Sequence, residues 1–407
     1  MKITNCICCN SDKLKLILDL GEQPWCNNFL LREEIGKEEY YPLQLMKCEE
    51  CQFIQLSYFV PKEKMFSKHD YLSGTTKTLA KHFKKIAENV TNFIEVDKND
   101  LIVDIGGNDG TNLLQYKELG YNKLWNIEAA SNIAKISNDN GIECLNEFFN
   151  EKTVEKYKLY IPKKAKIINA SGVFFHLEEI HSVIKGIKKL LHEDGVLCVQ
   201  FMYVLDMIKN NSFDMIYHEH LFYYTLNSLE KLLQPYNLEI VHCYHSDIHS
   251  GSMIAYIKHT SPRNNKTDDY WENMTNERRD LEEHSLEEFG EYIIQIKHSL
   301  KEHLFHYQTL YPGAKIYALA ATAKGNTLMN YFNIGEFITK VHEINELKIG
   351  KYTPHTHIPI EKESMDDLPD YYLVLAHNFF DEIVEKNKEM RDKGVRFILP
   401  FPKIKIV

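Results

Sequence analysis

The stretch Leu101-Ile102-Val103-Asp104-Ile105-Gly106-Gly107-Asn108-Asp109-Gly110 restricts this chain more than any other. A run that is apolar except for one acid reads as a strand buried on both faces. The glycine pair that stops it leaves backbone another molecule can approach closely. Asp109-Gly110-Thr111-Asn112 can open a helix whose first amides face the same crevice. The unit is a strand, a turn and a helix with a ligand at the turn.

Two common ligands are excluded by the turn itself. A dinucleotide site wants G-x-G-x-x-G and a P-loop wants lysine followed by a hydroxyl residue, and neither pattern is present. Further apolar segments alternate with helical patterns: Lys123 to Glu128, Glu143 to Leu145, Ala165 to Ala170, Val196 to Phe201 and Leu238 to Cys243. Such alternation predicts an α/β fold, a doubly wound parallel sheet with its crevice at the carboxyl ends of the strands. Glu128 then ends the second strand, where an acid grips ribose hydroxyls. Read from spacing alone, a dehydrogenase-like or a non-binding sheet competes. The turn resembles motif I of class I S-adenosylmethionine-dependent methyltransferases, hydrophobic-(D/E)-x-G-x-x-x-G, with Gly106 and Gly110 in the glycine places. The resemblance implies S-adenosylmethionine at Asp104, Gly106, Asn108, Asp109 and Gly110, with Glu128 on the ribose.

At 407 residues the chain is too long for one core and predicts two or three domains. A net charge of -10 argues against a nucleic-acid partner, which would need surplus Lys and Arg to displace counterions. No 18-residue apolar run and no signal-like start occur, so the expectation is a cytoplasmic protein with no membrane partner. Six of the nine cysteines, Cys6, Cys8, Cys9, Cys26, Cys48 and Cys51, fall early, and clustering in a reducing compartment points to metal. Cys6-Ile7-Cys8-Cys9 and Cys48-Glu49-Glu50-Cys51 are two C-x-x-C knuckles that suit tetrahedral zinc at Cys6, Cys9, Cys48 and Cys51. Cys8 and Cys26 remain further candidates, and a redox pair is the competing reading. Four thiolates would leave no open position, which implies a structural metal.

L-G-x-Q-P, Y-P-L-x-L and Q-L follow in order around these knuckles. Together they resemble the amino-terminal zinc domain of the nucleotide-sugar C-methyltransferases, and the resemblance extends over essentially the whole chain. It implies a zinc domain at 1–68, a methyltransferase domain at 69–262 and a carboxyl-terminal Rossmann-like domain at 263–407. It also implies S-adenosylmethionine as methyl donor, a structural zinc, a nucleotide-sugar substrate, and a monomer or weak homo-oligomer.

The chemistry is expected in Ile216-Tyr217-His218-Glu219-His220-Leu221-Phe222-Tyr223-Tyr224-Thr225, too polar and aromatic for a mere connector. The segment resembles the family's Y-x-E-H-x-x-Y/F. As a metal site His218 and His220 would lack a third ligand. C-methylation needs a carbon acid beside a ketone, a base near neutral pKa and a donor for the enolate oxygen. His220 is the predicted base, its tautomer fixed by Glu219 or a nearby carbonyl, with Tyr71 and Tyr217 as hydroxyl donors. Tyr71 reads equally as packing at a domain junction. Glu147 and His176 lie where such a sheet encloses the cofactor, although His176 also fits a helix-start histidine bonded to a carbonyl.

In the last domain Ala320-Ala321-Thr322-Ala323-Lys324-Gly325-Asn326-Thr327 resembles the family's G-Y-G-A-x-A-K-G-N-T turn. The resemblance implies substrate binding by Lys324, Asn326 and His357, with Lys324 reaching toward phosphate or sugar. Departures accumulate here: Ala318 and Ala320 replace glycines, Asn345 an aspartate and His355 a glycine. Earlier, in His249-Ser250-Gly251, Ser250 replaces another glycine and a usual arginine is missing. An altered substrate is the expectation. A polar loop over Arg263 to Asp269 and a charged helix over Asp280 to His306 are predicted between the domains. The reading is a C-methyltransferase of a 4-keto deoxy sugar, deprotonated at C3. A sugar O-methyltransferase and a non-catalytic binding homologue are its rivals.

Overall fold

The computed structural model describes residues 1–68, 72–75, 77–157, 163–248 and 251–407. Its first sheet contains β1 (Leu14–Pro24), β2 (Tyr40–Cys48) and β3 (Ile54–Leu56), successive antiparallel partners. Cys48 ends β2 and Cys51 lies in the turn to β3, so the second knuckle is a hairpin corner.

The central sheet has β4 (Leu101–Ile105), β5 (Lys123–Ile127), β6 (Glu143–Leu145), β7 (Ala165–Ser171) and β8 (Leu191–Met202). After the two-residue β9 (Phe222–Tyr223) come β10 (Leu238–Ser246) and β11 (Ser252–His259). The order is β10-β11-β8-β7-β4-β5-β6, with β11 antiparallel to both neighbours and the others parallel. This is the class I methyltransferase sheet. The chain leaves β4 toward β5 and β6 and returns to β7 on the other side, which makes the β4/β7 boundary the topological switch point. All five residues of β4 are buried, as a strand covered on both faces requires. One face packs on helix Lys77–Phe93 through Leu79, Phe83, Ile86, Ala87 and Val90, whose spacing follows the helical period. The other meets helix Ile180–Leu190.

The third sheet contains β12 (Ile316–Leu319), β13 (Val341–Glu343), β14 (Ile360–Lys362), β15 (Tyr371–Val374), β16 (Arg396–Leu399) and β17 (Lys405–Ile406). Its order, β14-β13-β12-β15-β16-β17, is parallel except for β17 and has the Rossmann form. Among the described residues no helix is long and apolar enough to cross a membrane.

The connector differs from the sequence expectation. Two helices, Asp268–Glu283 and Leu286–Leu310, replace one, because Ser285 caps the second by accepting from the Glu288 N–H at 2.9 Å. The first starts inside the predicted loop. It has few apolar residues, but its buried Glu277 accepts from the N–H groups of Leu226 (2.5 Å) and Asn227 (2.9 Å) and from Tyr203 Oη (2.9 Å). That carboxylate fastens the helix to the methyltransferase core. The second helix runs back to β1, where Lys15 pairs with Glu287 at 2.9 Å. Leu30 and Tyr352 exchange backbone hydrogen bonds of 2.9 and 2.8 Å, so the zinc and carboxyl-terminal domains are also in direct contact.

Candidate active site

The turn after β4 is shaped by what lies beneath it. Gly106 has φ +64°, and a Cβ there would sit 2.6 Å from Val173 Cγ2. At Gly107 a Cβ would meet Asn126 Oδ1 at 2.4 Å and Asp104 Cγ at 2.8 Å. Both positions therefore exclude a side chain. Asp104 is a support under the turn: Asn112 Nδ2 donates to it at 2.9 Å, and its other oxygen has no hydrogen-bond partner among the described residues. Burial pushes its carboxyl up to about 7, with Asn112 opposing and Glu128 adding to the rise. Asn126 Nδ2 donates to the Asn108 carbonyl at 2.8 Å, holding Asn108 at φ +51°.

Glu128 follows β5 at the crevice edge. It accepts from the Asn108 N–H at 3.1 Å and from the Ala130 N–H at 2.8 Å, which fixes the orientation of its carboxylate. The glycine turn, the oriented acid and the opening of helix Thr111–Glu118 directly after Gly110 fit S-adenosylmethionine. Asn108 and Asp109 also hold the preceding segment: Asn108 Oδ1 accepts from the Ser73 N–H (2.9 Å) and Asp109 from the Gly74 N–H (2.8 Å). Tyr71 itself lies outside the described residues, as do His249 and Ser250. Glu147 is engaged by Lys156 and by Tyr157 Oη (3.0 Å), and the lysine contact holds its carboxyl below the usual range.

The segment carrying His220 is joined to two other parts of the chain. Phe222 and Tyr223 form β9, which pairs with β3 and completes the first sheet as β1-β2-β3-β9. The Leu56 N–H donates to Leu221 O at 2.9 Å, and the Leu221 N–H donates to Phe175 O at 2.8 Å. His220 is thus fixed between the zinc-domain sheet and the loop after β7. Its Nδ1–H donates to Met215 O at 2.7 Å, which leaves the neutral tautomer with its lone pair on Nε2. Tyr217, Phe175 and His176 surround the ring with centroids 3.9, 4.7 and 5.1 Å away. Burial drives the Tyr217 phenol well above its ordinary value, so it stays a donor. His176 Nδ1–H donates to Glu219 O at 2.5 Å.

Glu219 shows what sequence reasoning missed. Its buried Oε1 accepts from Trp25 Nε1 at 2.5 Å and from Asn27 Nδ2 at 2.6 Å, both from the zinc domain. Between them Cys26 gives its carbonyl to Asn326 Nδ2 at 2.7 Å. Asn326 therefore meets the Glu219 support, and the site draws on all three domains. His218 faces away, its Nε2–H donating to Tyr41 O at 3.3 Å, and burial lowers its pKa to about 4. Burial also lowers the Lys324 ammonium, while Asp214 favours its charge. Asp214 is buried, both its oxygens lack a hydrogen-bond partner among the described residues, and His377 Nδ1 stands 3.2 Å away. Neither residue was singled out in the sequence. His357 pairs with Glu38 of the zinc domain.

The departures from the family pattern are conformationally faithful. Ala320 and His355, both in glycine places, adopt φ +72° and +71°. The backbone that glycine would give is retained, at a cost of order 1–2 kcal/mol for a side chain there. Asn345 is not the acid at the end of the second strand. That position belongs to Glu343, which accepts from the N–H groups of Ala321 (2.7 Å) and Asn345 (2.9 Å). It repeats in the third sheet the bond Glu128 makes to its own turn.

The four knuckle sulfurs all lie within 4.8 Å of one another, with Cys6–Cys51 at 3.5 Å and Cys9–Cys48 at 3.6 Å. Tetrahedral zinc with bonds of about 2.3 Å would separate its sulfurs by about 3.8 Å. The set fits zinc. Cys8 and Cys26 stand outside it.

Three family models match in succession: a "Putative zinc binding domain" over 6–66, a methyltransferase domain over 78–243 and a C-methyltransferase C-terminal domain over 247–402. The C-methyltransferase NovU of Streptomyces niveus is 27% identical over 411 residues, spanning 100% of this chain and 97% of that protein. Among solved structures, magnesium protoporphyrin IX methyltransferase (ChlM) from Synechocystis PCC 6803 with bound SAM matches at 10% identity and a TM-score of 0.33, covering 44% of this chain and 78% of that one. The CcbJ methyltransferase from Streptomyces caelestis matches at 11% and 0.34, covering 44% and 90%. With the order of the central sheet and the clustered thiolates, the domain matches make the chain an S-adenosylmethionine-dependent methyltransferase that carries a zinc-binding, a class I methyltransferase and a C-methyltransferase C-terminal domain.

Proposed function

We propose that the enzyme methylates carbon 3 of a nucleotide-linked 4-keto deoxy sugar, with His220 as the base. The observation that carries the reading is the held state of His220: an imidazole fixed as the Nε2-basic tautomer by Met215 O, inside an aromatic enclosure that excludes water. A proton beside a ketone is the kind such a base removes, and a dry enclosure strengthens every polar contact made to the developing charge. Burial keeps the Tyr217 hydroxyl protonated, which suits donation to an enolate oxygen. Tyr71 is the second proposed donor. Glu219, held from the zinc domain, would orient the sugar through hydroxyl contacts. S-adenosylmethionine supplies the electrophilic methyl that the carbon accepts, with Glu128 and the Gly106–Gly110 turn proposed to hold it. Lys324, at the start of helix Ala323–Phe332, is proposed to meet the diphosphate.

NovU lends the family chemistry, and the negative net charge fits a small-molecule substrate better than a nucleic acid. The test is incubation with methyl-labelled S-adenosylmethionine and a panel of 4-keto nucleotide sugars, with mass and connectivity analysis. A new carbon-bound methyl beside the ketone is expected. Label on a hydroxyl oxygen would make the protein an O-methyltransferase, and no transfer to any member would remove the nucleotide-sugar reading.

A further inference from the structure

The turn that carries Met215 is gripped from the carboxyl-terminal domain. Met215 O is the acceptor that fixes the His220 tautomer, and it ends the short turn Phe213–Met215. Phe213 is fully buried and stacks on Phe332, with ring centroids 4.8 Å and planes 19° apart. It also packs against Phe401 at 5.3 Å and Tyr331 at 5.8 Å. All three rings belong to the third domain, and such an apolar clasp is enough to keep a turn in place. The next residue does not serve that purpose.

Asp214 is 1% exposed, and neither of its oxygens has a hydrogen-bond partner among the described residues. Its neighbours are cationic groups of the third domain. His377 Nδ1 stands 3.2 Å from Oδ2, and Asp214 favours the charged forms of both His377 and Lys324. Taking a carboxylate out of water is costly, and replacing a buried ion pair by apolar groups is often neutral or stabilising. Stability alone therefore gives no reason for an acid here. Its place gives one. Asp214 directly precedes Met215, and its charge reaches Tyr217, whose ring lies 3.9 Å from that of His220. A carboxylate anchored to cations on another domain fixes the pitch of the turn, and with it the direction of the Met215 carbonyl.

We propose that Asp214, with His377, is a positioning residue for methyl transfer: it anchors the Phe213–Met215 turn to the carboxyl-terminal domain so that Met215 O stays aimed at His220 Nδ1. The inference rests on His220 as the base and adds what holds that base in its working tautomer. Without the anchor the carbonyl swings off the ring, the proton divides between the two nitrogens, and part of the population loses the Nε2 lone pair.

The test compares zinc-loaded, full-length wild type with Asp214→Asn and His377→Leu, and its first reading needs no substrate. In protein carrying nitrogen-labelled histidine, the His220 signals are those that His220→Asn removes from the magnetic resonance spectrum. They should show Nδ1 protonated and Nε2 bare in wild type and a mixture of tautomers in both variants. In methyl transfer to the 4-keto nucleotide sugar, kcat should fall about tenfold to a hundredfold, as for a misplaced catalytic group, while KM and S-adenosylmethionine affinity hold. If Asp214→Asn does not fold, His377→Leu carries both readings. A lower melting temperature with the wild-type tautomer would make Asp214 a packing residue and overturn the proposal. Wild-type kcat and tautomer in Asp214→Asn, with His220→Asn inactive, also overturn it and leave the base reading standing. Full activity in His220→Asn overturns both.

Discussion

Trp25→Phe isolates the support that the zinc domain gives the active site. The substitution keeps an aromatic ring but, with the smaller ring, loses the indole N–H that donates to Glu219 Oε1 at 2.5 Å. A hydrogen bond to a charged group is worth about 1.5–3 kcal/mol. Glu219 is 4% exposed, so no bulk water replaces the lost donor, but Asn27 Nδ2 still donates to the same oxygen at 2.6 Å. The single change should therefore fall at the lower end, about tenfold in kcat/KM, since each 1.36 kcal/mol is a decade. Adding Asn27→Ala should bring the loss to about a hundredfold, because both zinc-domain donors to the same carboxylate oxygen are then gone. The assay is methyl-transfer turnover by wild type, both single variants and the double variant, with zinc content and melting temperature as controls. Wild-type kcat/KM in the double variant, with Glu219→Gln inactive, would refute the idea that these two donors position Glu219.

Three further outcomes follow from other parts of the fold. Glu128→Ala should weaken S-adenosylmethionine binding by about 1–3 kcal/mol, the cost of unpaired buried hydroxyls, and unchanged affinity by calorimetry would assign the ribose to another partner. Cys48→Ser or chelation should release zinc and, because β9 is the edge of the same sheet, should end turnover as well as lower the melting temperature; metal-free protein with full activity would contradict this. His218, lowered to about 4 by burial, binds its proton more readily unfolded, so the stability it confers is complete above about pH 6.5 and is lost as pH falls toward 4. His218→Phe should flatten the dependence of unfolding free energy on pH between those values, by up to about 3 kcal/mol, and an unaltered slope in urea melts would remove His218 as the cause.

What the sequence disclosed was local. Leu101 to Gly110 has its strand and its turn within one short stretch, the acid at Glu128 ends the very next strand, and periodicity identified helix Lys77–Phe93 by its apolar face. The knuckles were readable because zinc chemistry fixes their spacing. What escaped depends on distant pairing: Trp25 and Glu219 are 194 positions apart, and an indole in a polar loop gives no sign of its acceptor. Helix Asp268–Glu283 was hidden because a buried carboxylate, and not an apolar stripe, fastens it to the core. Ala320 and His355 looked like losses of glycine geometry, yet the backbone keeps that geometry and bears the strain. Glu343 was passed over because a two-residue shift in the strand end gave Asn345 its place.

Deuterium exchange tests the central claim most directly. Wild-type protein holding S-adenosylhomocysteine, given the 4-keto nucleotide sugar in D2O, should incorporate deuterium at C3 without methyl transfer, since the base can act when no methyl is available. His220→Asn should bind the cofactor normally and lose both exchange and turnover by about 10²–10⁴-fold. Exchange at the wild-type rate in His220→Asn would contradict the account and transfer the proton to another group.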